Sequence, residues 1–368
     1  MRNDSYEDRL AGSVIVGGFE GTTVPTELRD RLARGLLAGV TLFRRNITDV
    51  FQVRALCASL AASAPADAPC VISIDQEGGR VARLREGVTL LPPMRTLGAI
   101  DDPALTRRAA LAVGRELAAL GINLDFAPVC DVDSNPANPI IGDRAFGRDA
   151  ETVSRHVVAF VEGLDDARVL GCAKHFPGHG DTDTDSHLEL PRVRHDLERL
   201  RRVELPPFRA AISAGVASVM SAHVLFDAVD PDVPATLSRA AMTTLLRDGV
   251  GGRQDFVIFS DDLHMKAVSA RWGLETSAEL AITAGCDGLL VCTDPDSQER
   301  VRCALADRAR RDEAFAARLR EAHDRMMRLR RRSPPRPLSE RELSGVLCCA
   351  EHRAVLEEIK ARAGALAP

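Results

Sequence analysis

Eight short runs of apolar and β-branched residues recur along the chain, at 13–17, 40–43, 70–74, 123–128, 170–174, 218–222, 256–260 and 288–292. Each run is continuous rather than alternating, the pattern of a strand covered on both faces in a parallel sheet. Longer amphipathic stretches lie between them, and residues 105–120 and 153–164 read as helices. Asp102 and Pro103 supply an N-cap followed by proline at the first helical position. Eight strand–helix units favour closure into a barrel over an open doubly wound sheet, although spacing alone is compatible with both. The expected fold class is therefore α/β, a (β/α)8 TIM barrel in one domain with a C-terminal helical extension.

The barrel is expected over residues 1–332, with a proline-rich connector and C-terminal helix over 333–368 packing back on it. A chain of 368 residues that is 45% hydrophobic has the material for one large core. The basic run at 328–332 precedes Ser333-Pro334-Pro335-Arg336-Pro337, which reads as a helix end and a stiff connector rather than a nucleic-acid arm. Ser339 and Glu342 have the spacing of a capping box, with one amphipathic helix expected from 338 to the end.

The net charge of −5 and the 4% aromatic content give no case for nucleic acid or an anionic membrane as partner. The first ten residues, MRNDSYEDRL, lack the apolar stretch of a signal peptide, and no apolar run is long enough to span a bilayer. Nine cysteines without a C-x-x-C pair read as reduced, mostly buried thiols, and the expected location is cytoplasmic. No obligate protein partner is evident.

Ionisable residues gather after the strands. The third strand is followed by Asp75-Gln76-Glu77-Gly78-Gly79-Arg80 and Arg83, the fourth by Asp131, Asp133 and Arg144, and the fifth by Lys174-His175-Phe176-Pro177-Gly178-His179-Gly180. Asp183, Asp185 and His187 come next; the sixth strand ends at His223 and the seventh at Asp261-Asp262. Such strand ends converge on one face of a barrel. Burying ionisable groups without use costs stability, so the clustering marks a site. Helix capping accounts for one or two of the aspartates, but not for the lysine, histidines and arginines.

Three chemistries can use this set. Zinc accepts ligands of the type of His175, His179 and His187, but these lack a helical i, i+4 spacing. Glycine-rich loops cradle phosphate, yet no G-x-x-x-x-G-K-[ST] run is present. Glycosyl transfer to water needs a carboxylate nucleophile, a proton donor and groups that grip hydroxyls, and the inventory fits without leftovers. No metal or other cofactor is expected.

The stretch KHFPGHGDTDTDSH at 174–187, with IDQEGGRVARL at 74–84, IGDRAFG at 141–147 and FSDDLHM at 259–265, closely resembles the bacterial β-N-acetylhexosaminidases of glycoside hydrolase family 3. The motifs stand in that family's order, and the resemblance covers about residues 10–330. It implies a (β/α)8 enzyme that removes non-reducing N-acetylglucosamine from peptidoglycan fragments, with a small carbohydrate as its only partner. By position it implies Asp261 as nucleophile, His187 as acid/base and Asp185 as the carboxylate that orients it. It implies Asp75, Arg83, Arg144, Lys174 and His175 as the sugar-binding set. A β-glucosidase or a phosphorylase on the same scaffold is the alternative, and a sugar-binding protein without catalysis a remoter one, opposed by the intact Asp261, Asp185 and His187.

The chemistry expected of these residues is retaining hydrolysis through a glycosyl-Asp261. Lys174 and Arg144 are the cations expected to keep Asp261 ionised. A histidine with a free pKa near ~6.5 can give and recover a proton at neutral pH. Gly178 and Gly180 suggest a mobile loop for it. His179 is expected to brace that loop, Asp131 to hold strand ends together, His223 to stand behind the site, and Trp272 to pack rather than stack on a sugar.

Overall fold

The computed structural model describes residues 4–182, 190–250 and 254–365. The eight apolar runs form eight parallel strands: β1 (Ile15–Gly17), β2 (Gly39–Leu42), β3 (Val71–Ile74), β4 (Leu124–Asp125), β5 (Leu170–Phe176), β6 (Ser218–Ser221), β7 (Val257–Asp262) and β8 (Gly288–Val291). They pair in chain order, and β8 returns to β1 through Ile15–Leu289, Val16–Leu290 and Gly17–Val291. The sheet is thus closed, and the fold is a (β/α)8 barrel. Closure leaves the strands no edge, and Ile72, Val219, Ile258 and Leu289 are fully buried.

Strand bounds shift from the sequence reading, β1 starting two residues late and β5 running two residues on to Phe176, with β4 and β7 shifting as well. β4 is shorter than the 123–128 run, because Pro128 has no N–H to give to a ladder. Its pairing goes on irregularly, with Cys172 N donating to the Ala127 carbonyl and Cys130 N to that of Lys174. β7 runs two residues past the expected end, through Asp261 and Asp262.

The expected helices appear as Pro103–Leu120 and Ala150–Asp166. Asp102 caps the first by accepting from Leu105 N at 3.1 Å, and Gly121 ends it at φ 93°. The last helix of the ring, Glu313–Arg332, ends in the basic run. There Arg330 is buried and donates to the carbonyls of Pro69 and Ala68, while Arg331 reaches that of Asp67. These arginines tie the helix to the turn before β3.

The C-terminal stretch corrects the expectation of one helix from 338. Ser339 and Glu342 do form a capping box, but on the short helix Glu340–Leu343. Turns follow, with Cys348 at φ 45°, before a second helix, Ala350–Gly364. It buries Val355 and Ile359 and lies on Pro103–Leu120. Buried Glu116 of that helix holds it by accepting from Cys348 N at 2.8 Å and His352 Nδ1 at 2.9 Å. All nine cysteines are free thiols, six of them buried. Among the described residues no helix is long and apolar enough to cross a membrane.

The N-terminal end of the barrel is bolted by Asp287, just before β8. It is fully buried and accepts from Arg247 at 2.5 Å, Ile258 N at 3.0 Å, Arg318 at 2.7 Å and Arg325 at 3.2 Å. Removing a carboxylate from such a cluster leaves buried guanidinium charge unpaired, at a cost of about 3–5 kcal/mol. Asp287→Ala should therefore lower the urea midpoint strongly, and a midpoint like that of the native chain would contradict this role.

Candidate active site

A pocket of about 250 Å³ opens at the C-terminal ends of the strands. Asp75, Arg83, Arg144, Lys174, His175 and Asp261 all line it, joined by Glu77, Phe43, Phe126, His179 and Asp262. Asp185 and His187 lie outside the described residues. Trp272 is not in the pocket wall; it ends the helix Lys266–Trp272, half-buried against the core with the Arg271 guanidinium 4.7 Å from its ring centre.

Two interruptions of strand register shape the site. Successive residues of a strand face opposite ways, so Lys174 and His175 should not both reach one pocket. Between β5 and β6, however, Lys174 pairs with Met220 and Phe176 with Ser221, leaving His175 as an extra residue. Between β7 and β8, Phe259 pairs with Gly288 and Asp262 with Leu290, so Ser260 and Asp261 face Leu289 alone. One extra residue re-aims its neighbours. This is how both Lys174 and His175, and both Asp261 and Asp262, come to line the pocket.

The charged groups form a lattice. Lys174 Nζ lies 2.7 Å from Asp75 Oδ1 and 2.6 Å from Glu77 Oε1. Arg83 donates to Asp75 Oδ2 at 2.9 Å. Arg144 grips Glu77 with two parallel hydrogen bonds of 2.8 Å each, the fork geometry that suits a carboxylate. Burial pushes the Glu77 carboxyl up, but Arg144 and then Lys174 outweigh it and hold it at about 2. Asp75 is likewise held well below the usual carboxylate range by Lys174 and Arg83 against its burial. Burial alone would lower Lys174, yet Asp75 and Glu77 raise it, so it stays charged. Glu77 was not among the candidates singled out from the sequence. Its signal was there: it stands two residues after Asp75, the spacing of side chains on one face of an extended segment.

The histidines form a second group. Asp131, fully buried, accepts from His175 Nδ1 at 2.7 Å and from the backbone N–H groups of His175 and His179. It thus ties the end of β5 and the loop after it to the segment that follows β4, in line with the expectation that it holds strand ends together. A carboxylate only accepts, so His175 carries its proton on Nδ1 and leaves Nε2 for the pocket. His179 is buried, pairs with Thr182 Oγ1 at 2.7 Å, and is pushed down to about 4 chiefly by burial. His223 Nε2 donates to the Asp262 carbonyl at 3.0 Å.

Asp261 and Asp262 are distinguished by their partners. Asp262 Oδ1 is taken by two backbone groups, His264 N at 3.2 Å and Cys292 N at 3.3 Å. Asp261 Oδ1 accepts from Asp262 N at 2.8 Å. Burial raises its pKa, and His223, His175, that N–H and Lys174 together bring it below the usual value. The ionising influence thus comes mainly from the histidines, with Lys174 behind them, while Arg144 is committed to Glu77.

The glycines expected to loosen the following loop are demanded by packing. A Cβ on Gly180 would stand 1.7 Å from the Val132 carbonyl oxygen, and one on Gly178, at φ 137°, would meet Glu204 at 2.9 Å. Among the described residues no group of three or more histidine, cysteine, aspartate or glutamate side chains is arranged to hold a metal ion.

Comparison with known proteins follows the same lines. The profile described as the glycosyl hydrolase family 3 N terminal domain matches residues 13–329. A β-hexosaminidase of Thiobacillus denitrificans is 42% identical over 291 residues, covering 77% of this chain and 79% of that protein. A glycoside hydrolase family 3 β-N-acetylglucosaminidase from Paenibacillus sp. has a similar structure, with a TM-score of 0.91 at 39% identity, covering 98% of this chain and 69% of that one. NagZ from Neisseria gonorrhoeae, solved with N-trifluoroacetyl-D-glucosamine, matches with a TM-score of 0.77 at 32% identity, covering 96% of this chain and 98% of that one.

Asp125 is a further buried carboxyl beneath the lattice. Its Oδ1 accepts from Gln76 N at 2.9 Å, and burial raises its pKa to about 7, with the Gln76 N–H and Lys174 opposing and Asp75 and Glu77 adding. The folded chain therefore keeps a proton that the unfolded chain loses nearer the ordinary value of 3.8. Its contribution to stability is complete below that value and falls as pH rises toward 7. Asp125→Asn keeps the acceptor for Gln76 N and removes this dependence. Its melting midpoint, relative to the native chain, should improve from about pH 5 to pH 8. An equal difference at both pH values would contradict the assignment.

Proposed function

The chain belongs to glycosyl hydrolase family 3, and from that premise we propose that it is a retaining exo-β-N-acetylglucosaminidase acting on peptidoglycan fragments. The observation that carries this reading is the convergence of a strand-end carboxylate, Asp261, with the lattice of Asp75, Arg83, Lys174, Glu77 and Arg144 in a pocket on the scale of one sugar residue. A fixed array of ionised donors and acceptors recognises hydroxyls, and a carboxylate beside it can attack an anomeric carbon. The β-hexosaminidase relative and the N-trifluoroacetyl-D-glucosamine complex of the Neisseria protein support the sugar class. A cytoplasmic location belongs to the same reading, supported by the nine free thiols.

In the proposed reaction an Asp261 oxygen attacks the anomeric carbon while His187 protonates the departing glycosidic oxygen. The bond to the leaving sugar breaks with its electron pair on that oxygen. His187, now neutral, then takes a proton from water, and the water oxygen displaces Asp261. Two inversions give net retention. Asp185 steadies the imidazolium and fixes its tautomer. Asp75 accepts from sugar hydroxyls through lone pairs left by Lys174 and Arg83, since an ionised carboxylate has about four such sites. Lys174 and the free N–H groups of Arg83 and Arg144 donate to sugar oxygens, while His175 Nε2 accepts from a sugar hydroxyl. The chemistry as written consumes no cofactor.

The direct test compares aryl β-N-acetylglucosaminide with aryl β-glucoside, with and without inorganic phosphate. Preference for the N-acetyl substrate, with a rate and product independent of phosphate, is expected. Preference for the glucoside, or release of a sugar phosphate, would replace the proposal with a β-glucosidase or a phosphorylase.

The roles of His187 and Asp261 separate by leaving group. General acid catalysis typically contributes ~10²–10⁴-fold. His187→Ala should lose about that much on a disaccharide and far less in the first step with a nitrophenyl glycoside, which departs without a proton. The glycosyl-enzyme should then accumulate on Asp261, visible by peptide mass, and azide should speed its turnover. Equal losses on both substrates without azide rescue would assign His187 to binding or folding, and a label on Asp262 would move the nucleophile.

A further inference from the structure

A second concavity, of about 370 Å³, lies on the opposite face of the barrel, at the N-terminal ends of β4 and β5. Four arginines line it, Arg168, Arg331, Arg332 and Arg336, and all four are exposed. Ile122, Pro334 and Pro335 supply apolar wall.

The charge here is unbalanced. Of the four, only Arg332 pairs with a carboxylate among the described residues, that of Asp165. Arg331 spends Nε on the Asp67 carbonyl, and the side chains of Arg168 and Arg336 make no hydrogen bond or ion pair among the described residues. Some arginines elsewhere are doubly paired, Arg34 with Asp4 and Asp30 and Arg302 with Asp8 and Glu299. Three like charges that share no carboxylate partner among the described residues repel, and an anion relieves that repulsion.

The backbone of the cleft is set in advance. Arg168 is left-handed at φ 60°, a conformation that a side chain with a Cβ adopts at a cost. Ser333 Oγ holds it there by donating to the Arg168 carbonyl at 2.6 Å. Asn123, buried beneath, donates to the Ser333 carbonyl at 2.7 Å. Proline at 334, 335 and 337 fixes the connector that presents Arg336. Groups held in place before binding lose less entropy on binding.

We propose that this cleft binds a small phosphate or diphosphate ester. Guanidinium forks match phosphate oxygens in pairs, and four of them exceed what one carboxylate can neutralise. The apolar wall takes the uncharged part of the ligand. The cleft is small and the chain as a whole carries −5, so a compact anion fits it and an extended polyanion does not. This site is independent of the glycosidase reading, since none of its residues lines the catalytic pocket.

Titration of the whole chain with inorganic diphosphate at low ionic strength, followed by calorimetry, tests it. One saturable site is expected. Arg168→Gln with Arg336→Gln, which removes two charges that hold nothing else, should weaken binding by about tenfold or more, from the usual worth of charged hydrogen bonds. Glycoside turnover should be unchanged. A parallel sedimentation with phosphatidylglycerol vesicles separates a free phosphate from a lipid headgroup. Absence of saturable binding, unchanged affinity in the double variant, or retention by vesicles without diphosphate binding would each overturn the proposal.

Discussion

The buried pairing of Lys174 with Asp75 and Glu77 is the constraint on which the site depends. Three ionised groups at 2.6–2.7 Å from one another's oxygens and nitrogen have left water together. Such a set is tolerated only while every member is present, because one missing partner leaves uncompensated charge in a poorly solvated place. Arg83 and Arg144 complete it from outside, one on each carboxylate. The lattice spans β3, β5 and the loop after β4, so it forms only once the barrel has brought these strand ends together. Closure through β1 and β8 is therefore as much a requirement of the site as of the core.

The two ends of the barrel handle buried charge in different ways. At the N-terminal end Asp287 is saturated by three arginines and a backbone N–H, and the cluster serves stability. At the C-terminal end the same residue types keep unused lone pairs and N–H groups pointing into open space. The register interruptions at His175 and Asp261 supply what regular strands cannot, two adjacent functional side chains on one face. Phe126, which lines the pocket, is in edge contact at 5.9 Å with the buried Phe259 ring.

Much of this was legible in the residues. The eight apolar runs mark the eight strands, since a strand buried on both faces has no reason to alternate. The DQEGGR and KHFPGHG stretches mark the strand ends that converge. What stayed hidden was partnership. Nothing local says that Arg144 would spend its fork on Glu77, 67 positions away, or that His223 and His175 rather than Arg144 would act on Asp261. The glycines at 178 and 180 read equally as looseness or as close packing until Val132 and Glu204 are seen against them. Register interruptions leave no mark in composition. The C-terminal stretch misled for a simpler reason: its apolar spacing continues across a turn at Cys348 whose left-handed backbone no residue type there announces.

Glu77 touches no substrate in the proposed mechanism and acts only by holding Lys174 and Arg144. Glu77→Gln keeps the shape and removes the charge on which both cations rest, which makes it the most direct probe of the lattice. Displacements of about 1 Å in positioning groups can cost on the order of 10²-fold in rate. The measurement is kcat/KM of Glu77→Gln on an aryl β-N-acetylglucosaminide, alongside its circular dichroism. A fall of about a hundredfold with a native spectrum is the expected result. Activity close to that of the native chain, in a variant equally well folded, would contradict the dependence of the site on this buried charge set.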